Sequence, residues 1–167
     1  MASIWRDDAG RLRTAWRIGG FFVAYGLGVL LLSFALALVL AVAGVQPAES
    51  EWGMRLSFAV GGGLSLGWSL FLAVSYRLFL DGRDVASMGF RRPEGTTDSP
   101  WLGLAIGLAA ICVPVAAMLA DGSLRLAGVG LSAQALVITL ALLLAALHEE
   151  VAFRAYPLRN MMEAGQP

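Results

Sequence analysis

Uncharged stretches long enough to cross a membrane recur along this chain of 167 residues. Between Gly19 and Gly44, 26 residues pass without a charged side chain. As a helix, this stretch would be about 39 Å long at about 1.5 Å per residue, against a hydrocarbon core of about 30 Å. Further stretches cover residues 57–76, 101–120, and 132 through 147 and beyond. The pattern predicts an all-α fold, a polytopic helical membrane protein with four transmembrane helices.

The first stretch has an alternative interpretation as a cleaved signal peptide, because Ala41-Val42-Ala43 has the small residues of a cleavage site. Its length argues against that reading, since the apolar region of a signal peptide is about 7–15 residues long. We therefore expect the first stretch to be a membrane span.

The distribution of arginines predicts the orientation of the spans. Two arginines, Arg55 and Arg125, follow the first and third stretches. The other ten precede the first stretch or follow the second and fourth: Arg6, Arg11, Arg13, Arg17, Arg77, Arg83, Arg91, Arg92, Arg154 and Arg159. Because cytoplasmic segments are enriched in basic residues, we expect the N-terminus, the 77–100 loop and the C-terminal end to be cytoplasmic.

Composition narrows the classes of protein further. Hydrophobic residues make up 58% of the chain and charged residues 14%, which argues against a soluble domain and makes membrane lipid the expected surrounding. The formal net charge is zero, so no basic surplus favours nucleic acid as a partner. All twelve basic residues are arginine, as GC-rich genes tend to encode, which suggests a bacterial inner (plasma) membrane.

The pattern also suggests how the chain is divided. We predict a cytoplasmic amphipathic lead-in over residues 1–18, two transmembrane helices over 19–98 with a cytoplasmic loop at 77–98, and two more over 99–167. Gly63 and Gly67 are spaced as a small-x-x-x-small pair, which predicts a close contact between helices.

Ionisable groups are concentrated at one place in the apolar stretches, at His148, Glu149, Glu150 and Arg154. If Ser132 caps the fourth helix, Glu149 lies about 26 Å along it, near the cytoplasmic edge of the bilayer. The residues that follow are compatible with continuing the helix, so the carboxylates are expected inside it. Pro157 cannot donate a backbone hydrogen bond, which should loosen the next turn.

The spacing assigns different roles to the two glutamates. Glu150 and Arg154 are four residues apart, on one helix face, and should form an ion pair. Glu149 has Phe153 at the corresponding position, so its carboxylate is free to act as a general base on water. Alternatively, the cluster marks only the end of an ordinary span, where charge costs little. His148 is the single histidine and cannot by itself form a tetrahedral metal site.

The sequence EEVAFR at 149–154 resembles the Glu-Glu-x-x-x-Arg motif of the CPBP family of intramembrane proteases, which includes the type II CAAX prenyl endopeptidases. The segment MGFRRP at 88–93 and the pair Trp16-Arg17 are also similar to segments of bacterial members. The resemblance implies a hydrolase, an intramembrane endopeptidase acting on a peptide or membrane-protein substrate. It further implies that Glu149 and Glu150 activate the attacking water and that Arg154 orients the glutamates or the substrate.

The resemblance also implies two histidine motifs on later helices, and with them zinc or another divalent metal in a complete member. No histidine follows Arg154 in this sequence. We therefore expect a fragment that is inactive by itself, in which residues 99–167 form an incomplete protease core.

Two other functions remain open. The cluster could be a polar interaction patch on a non-enzymatic membrane protein, for example one of the bacteriocin-immunity type. A small transporter that uses Glu149 as a proton relay is the third interpretation, although it needs a carboxylate deeper in the bilayer.

Overall fold

The computed structural model describes residue 5 and residues 12–88, 100–126, 128 and 130–164. It is 84% helical, and no strand occurs in the described parts. Within these described ranges, four helices are long and apolar enough to span a membrane, which confirms the predicted all-α class and the number of spans. Most of their large apolar side chains are exposed, as lipid-facing surfaces require.

The first helix, α1, covers Thr14–Val42 and begins five residues before the uncharged stretch. Its first turns include Arg17, whose side chain is buried. The helix ends where Gly44 adopts a left-handed backbone with φ of 68°, a conformation that favours glycine. This turn leads into a short 3₁₀ helix at Pro47–Glu49.

The second helix, α2, covers Glu51–Ser75, and the Ser50 hydroxyl caps it by accepting a 2.9 Å hydrogen bond from the Gly53 amide. A π-helical turn at Tyr76–Leu80 extends it, and Gly82 turns the chain at φ of 61°. A 3₁₀ turn at Val85–Met88 follows.

The third helix, α3, covers Pro100–Ala120 and contains Pro114 in its interior. Asp121 and Gly122 form the turn that ends it, with Gly122 at φ of 80°. The Asp121 carboxylate accepts a 2.8 Å hydrogen bond from the Ser123 amide. Hydrogen bonds from the Ser123 side chain and backbone hold the pKa of Asp121 below its ordinary value, so this turn is strongest when Asp121 is ionised.

The fourth span is one continuous helical segment from Ala133 to Ala164. Its first part, α4, covers Ala133–Glu149 and is capped by the Ser132 hydroxyl, which accepts a 3.1 Å bond from the Ala135 amide as predicted. A π-helical segment covers Glu150–Leu158, and α5 covers Arg159–Ala164.

Glycines set the contacts among α1, α2 and α4. A Cβ on Gly28 of α1 would lie 1.9 Å from the indole Nε1 of Trp68 in α2, so only glycine fits there. A Cβ on Gly62 of α2 would lie 3.4 Å from the Leu144 Cβ of α4. A Cβ on Gly63 would lie 3.8 Å from the Leu144 Cδ1, whereas a Cβ on Gly67 would have nothing within 4 Å. The close contact therefore centres on Gly62 rather than on the Gly63 and Gly67 pair.

The chain forms two compact units. One comprises Met1–Arg91 and Ser132–Pro167, and the other Arg92–Leu131. The core of the first unit contains Phe21 of α1, residues from the end of α2, and Tyr156 of the π-helical segment. The division at residues 18, 98 and 99 inferred from sequence stays a prediction.

Two predicted features lie partly outside the described residues. Within the lead-in 1–18, Trp5 stacks on Trp16 with ring centroids 4.3 Å apart, while residues 6–11 are not described. Of the segment MGFRRP, Met88 is buried in the core, and residues 89–93 are not described.

Candidate functional site

The glutamates of the EEVAFR sequence lie inside the fourth span. Glu149 is the last residue of α4, and Glu150 begins the π-helical segment. Pro157 lies in the same segment, so the wider helix coincides with the turn that its missing amide was expected to loosen. Wider π-helical turns are frequent at functional sites.

Glu150 and Arg154 form the predicted ion pair. The Arg154 Nη1 donates to the Glu150 Oε2 at 3.0 Å. Both side chains are more than half exposed, so the pair places Arg154 beside the Glu150 carboxylate but contributes little to the stability of the fold.

Glu149 is exposed and rotated away from this pair. In the part of the chain that the structure describes, no hydrogen bond or ion pair involves its carboxylate. It is close enough to interact electrostatically with the Tyr25 hydroxyl and the His148 ring. Glu149 is thus the carboxylate available to another molecule, such as water.

His148 is held by a residue of another helix. Its Nε2 and the Tyr25 hydroxyl of α1 are 2.7 Å apart, and the two rings stack at 5.5 Å between centroids. Phe153 packs against both Tyr25 and Phe22, at 6.4 and 5.7 Å. One side of the glutamate site is therefore formed by aromatic rings of α1.

A second polar site, which we call the arginine cluster, lies where α1 begins, α2 ends and α5 follows the fourth span. It consists of four arginines and two acids: Arg17, Arg77, Arg83, Arg159, Asp81 and Glu163.

The Asp81 carboxylate is fully buried in this cluster. It forms ion pairs with Arg17 and with Arg77, the latter at 3.3 Å. The Tyr156 hydroxyl and the Asn160 amide also donate to it, at 3.4 and 3.3 Å. Asp81 therefore connects all three membrane segments of its unit.

Glu163 receives three guanidinium groups. Arg77 binds both of its oxygens, at 2.7 and 3.1 Å, and Arg159 donates from Nε at 3.1 Å. Arg83 forms a further ion pair with it. The Ser87 hydroxyl accepts from Arg77 at 2.6 Å, which completes the partners of that buried guanidinium.

This cluster was not predicted from the sequence, because its arginines were assigned to the charge bias of the loops and, for Arg17, to the family resemblance. A charged residue just inside an otherwise apolar helix, as Arg17 and Arg77 are, is the signal that could have indicated it.

The described residues contain no group of three or more His, Cys, Asp or Glu that could hold a metal ion. His148 is engaged with Tyr25, and Glu150 with Arg154. The residues present therefore do not fit the zinc or other divalent metal that the resemblance implies.

An apolar cavity of about 410 Å³ lies mainly between α1 and α2. Leu36, Leu40 and Phe58 are among the residues that line it, and Ala145 of α4 also contributes. No charged residue is among those that line it, and Ser33, Ser57 and Ser65 add hydroxyl groups to a lining that is otherwise mostly hydrocarbon.

Comparison of the chain with protein-family models, with curated proteins and with solved structures finds no match.

Proposed function

We propose that this protein is a membrane hydrolase of the CPBP kind, an intramembrane endopeptidase that cleaves peptide bonds in or near the bilayer. One observation carries the proposal. Of two adjacent carboxylates inside a membrane helix, Glu150 is paired with Arg154, and Glu149 has no hydrogen-bond or ion-pair partner among the described residues. An ordinary span gains nothing from an unpaired carboxylate at this depth, whereas water activation requires one.

In the proposed reaction, Glu149 accepts a proton from water while the water oxygen bonds to the carbonyl carbon of a peptide. The tetrahedral intermediate then breaks its C–N bond, and the proton passes from Glu149 to the leaving amine. Glu150 and Arg154 keep the neighbouring charge fixed during these steps. Because the described residues do not form a metal site by themselves, we assign no step to a metal ion.

The substrate in this proposal is a peptide or membrane protein that approaches Glu149 from the bilayer. The exposed apolar surface of the surrounding helices is compatible with lipid on one side and a hydrophobic peptide on another. The resemblance implies further histidines in the active site and residues 1–167 contain a single one, so we propose that they are inactive by themselves.

We propose the inner (plasma) membrane of a bacterium as the location, with both termini cytoplasmic. The arginine cluster supports a shared side for the start of α1, the end of α2 and α5, since Arg17 pairs with Asp81 and Arg77 with Glu163. The excess of arginine at these ends assigns that side to the cytoplasm.

The test is a cleavage assay with the whole product of the gene, purified from its membrane and supplied with transmembrane peptides. Glu149→Gln should lower the rate of cleavage about 10²–10⁴-fold, and Arg154→Gln should reduce it less, by removing the ion-pair partner of Glu150. Glu51→Gln is the matched control, because Glu51 also pairs with an arginine four residues on, Arg55, outside the site. Equal cleavage by Glu149→Gln and the unsubstituted protein would refute the role of Glu149.

The alternative is a non-enzymatic interaction protein of the bacteriocin-immunity type, in which Glu149 and Glu150 bind a partner. Both carboxylates are exposed, which suits that function as well. Absence of any cleavage by the whole gene product, together with protection of cells that depends on Glu149, would favour this alternative.

A further inference from the structure

The charges in the arginine cluster do not balance. Among the described residues, four guanidinium groups face two carboxylates, Asp81 and Glu163, which leaves two positive charges in excess. Asp81 is enclosed between Arg17 and Arg77, so the excess falls on the arginines around Glu163.

Arg83 and Arg159 are the two members of the cluster that face outward. Their side chains are 41% and 42% exposed, whereas those of Arg17 and Arg77 are buried. Each donates a hydrogen bond to Glu163 from one of its nitrogens, which is Nη1 in Arg83 and Nε in Arg159. Among the described residues, their remaining guanidinium nitrogens have no partner. Because both bind the same carboxylate, the two guanidinium groups are neighbours.

The position of this pair determines which anion can reach it. The cluster lies at the ends of membrane-spanning segments, where α1 begins at Thr14 and the second span, α2 with its π-helical turn, ends at Leu80. This is the level of the lipid headgroups, where phosphate is the abundant anion. Excess positive charge beside a low-dielectric core attracts a counter-anion more strongly than it would in bulk water.

We propose that Arg83 and Arg159 bind the phosphate of an anionic phospholipid. A guanidinium group offers parallel N–H donors that match phosphate oxygens, so two neighbouring groups can hold one phosphate from both sides. The lipid phosphate neutralises one of the two excess charges and links Arg83, which follows α2, to Arg159 of α5. Asp84 is the nearest described acid in sequence; it is exposed, and no contact joins its carboxylate to either arginine.

The experiment measures lipid retained by the detergent-solubilised protein, using native mass spectrometry. Phosphatidylglycerol and phosphatidylcholine with the same acyl chains are added in turn. The unsubstituted protein should retain phosphatidylglycerol preferentially. Arg83→Gln and Arg159→Gln should each weaken that retention by about fivefold, since one arginine near an anionic surface contributes on that order.

Arg55→Gln is the matched control, because Arg55 is similarly exposed at 32% and also pairs with a glutamate, but lies at the other end of α2. Its retention of phosphatidylglycerol should be unchanged. Equal retention of both lipids by the unsubstituted protein would overturn the proposal, and this comparison needs no variant to fold. An equal loss in Arg55→Gln, or full displacement of the lipid by millimolar inorganic phosphate, would also overturn it.

Discussion

At the scale of single residues, Asp81 is a charged side chain that is fully buried, and it therefore depends most strongly on its neighbours. Its carboxylate has no exposed surface, and it binds Arg17, Arg77, Tyr156 and Asn160. Burial of a charge is tolerable only when partners replace the lost water. Asp81 and the two arginines therefore depend on one another.

Replacement of Asp81 by asparagine should destabilise the protein by about 3–5 kcal/mol, because Arg17 and Arg77 would keep buried charges with one acid fewer. Thermal unfolding in detergent measures the loss. Asp84→Asn, three residues on and exposed, is the control and should change stability little. An equal loss of stability in both variants would show that the effect does not depend on the buried ion pairs of Asp81.

The Tyr25 hydroxyl should control the hydrogen bonding and the chemical reactivity of His148, the single histidine. In Tyr25→Phe the Nε2 of His148 loses its 2.7 Å partner, so its nitrogen resonances should shift and its reaction with a histidine-specific reagent should become faster. Tyr76→Phe removes a hydroxyl from a tyrosine ring that packs on Phe21 and should have no such effect. Unchanged His148 signals in Tyr25→Phe would contradict the hydrogen bond.

Spacing along the chain predicts some of these contacts and not others. The Glu150 and Arg154 pair follows from a separation of four residues on one helix. Tyr25 and His148 are 123 residues apart, and Arg17 and Asp81 are 64 apart. Such pairs depend on which helix faces pack together, and hydropathy does not specify that.

At the scale of helices, the close approach of α1 and α2 depends on Gly28. The Trp68 ring occupies the space that any larger side chain would need, and it also stacks on Phe71 at 5.5 Å. Small residues allow such contacts in membranes, where packing rather than exclusion of water holds helices together.

Gly28→Ala should therefore cost about 1–3 kcal/mol, the usual cost of overpacking. Gly26→Ala is the control on the same helix, because its Cβ would meet nothing within 4 Å. Thermal unfolding of both variants in the same detergent measures the difference. A Gly28→Ala protein as stable as Gly26→Ala would show that α1 and α2 are not in close contact there.

The form of the fourth span was only partly predictable. Its continuation beyond the glutamates followed from the apolar residues after Glu150, and Pro157 indicated a disturbed turn. The extent of the π-helical segment, from Glu150 to Leu158, did not follow from sequence, because it depends on Tyr156 and Pro157 being buried against other helices.

At the scale of the whole molecule, hydropathy was sufficient for the number of spans and the fold class. The lengths of the uncharged stretches predict both the number of spans and the helical class. The third helix matches its predicted range, 101–120, apart from one additional residue at its start. The first and second helices begin earlier than predicted, because Arg17 and Arg55 belong to them although they are charged.

The orientation of the spans in the membrane is a prediction about the whole molecule. A reporter active only in the cytoplasm should be active when fused after Arg92 and inactive when fused after Arg125, since the excess of arginine favours the cytoplasm for the start of α1 and the end of α2, which the ion pairs of the arginine cluster bring together. A second reporter, active only outside the cytoplasm, is fused at each position as the control and should give the opposite pattern. An extracytoplasmic reporter after Arg92 would contradict the orientation.

The most direct test of the central claim is the rate of peptide cleavage in ¹⁸O-labelled water by the whole gene product and its Glu149→Gln variant. Water activated by Glu149 predicts one ¹⁸O in the new carboxyl terminus and a rate about 10²–10⁴-fold lower in the variant, the usual contribution of a general base. Cleavage at an undiminished rate in Glu149→Gln, with the variant folded in the membrane, would contradict the account.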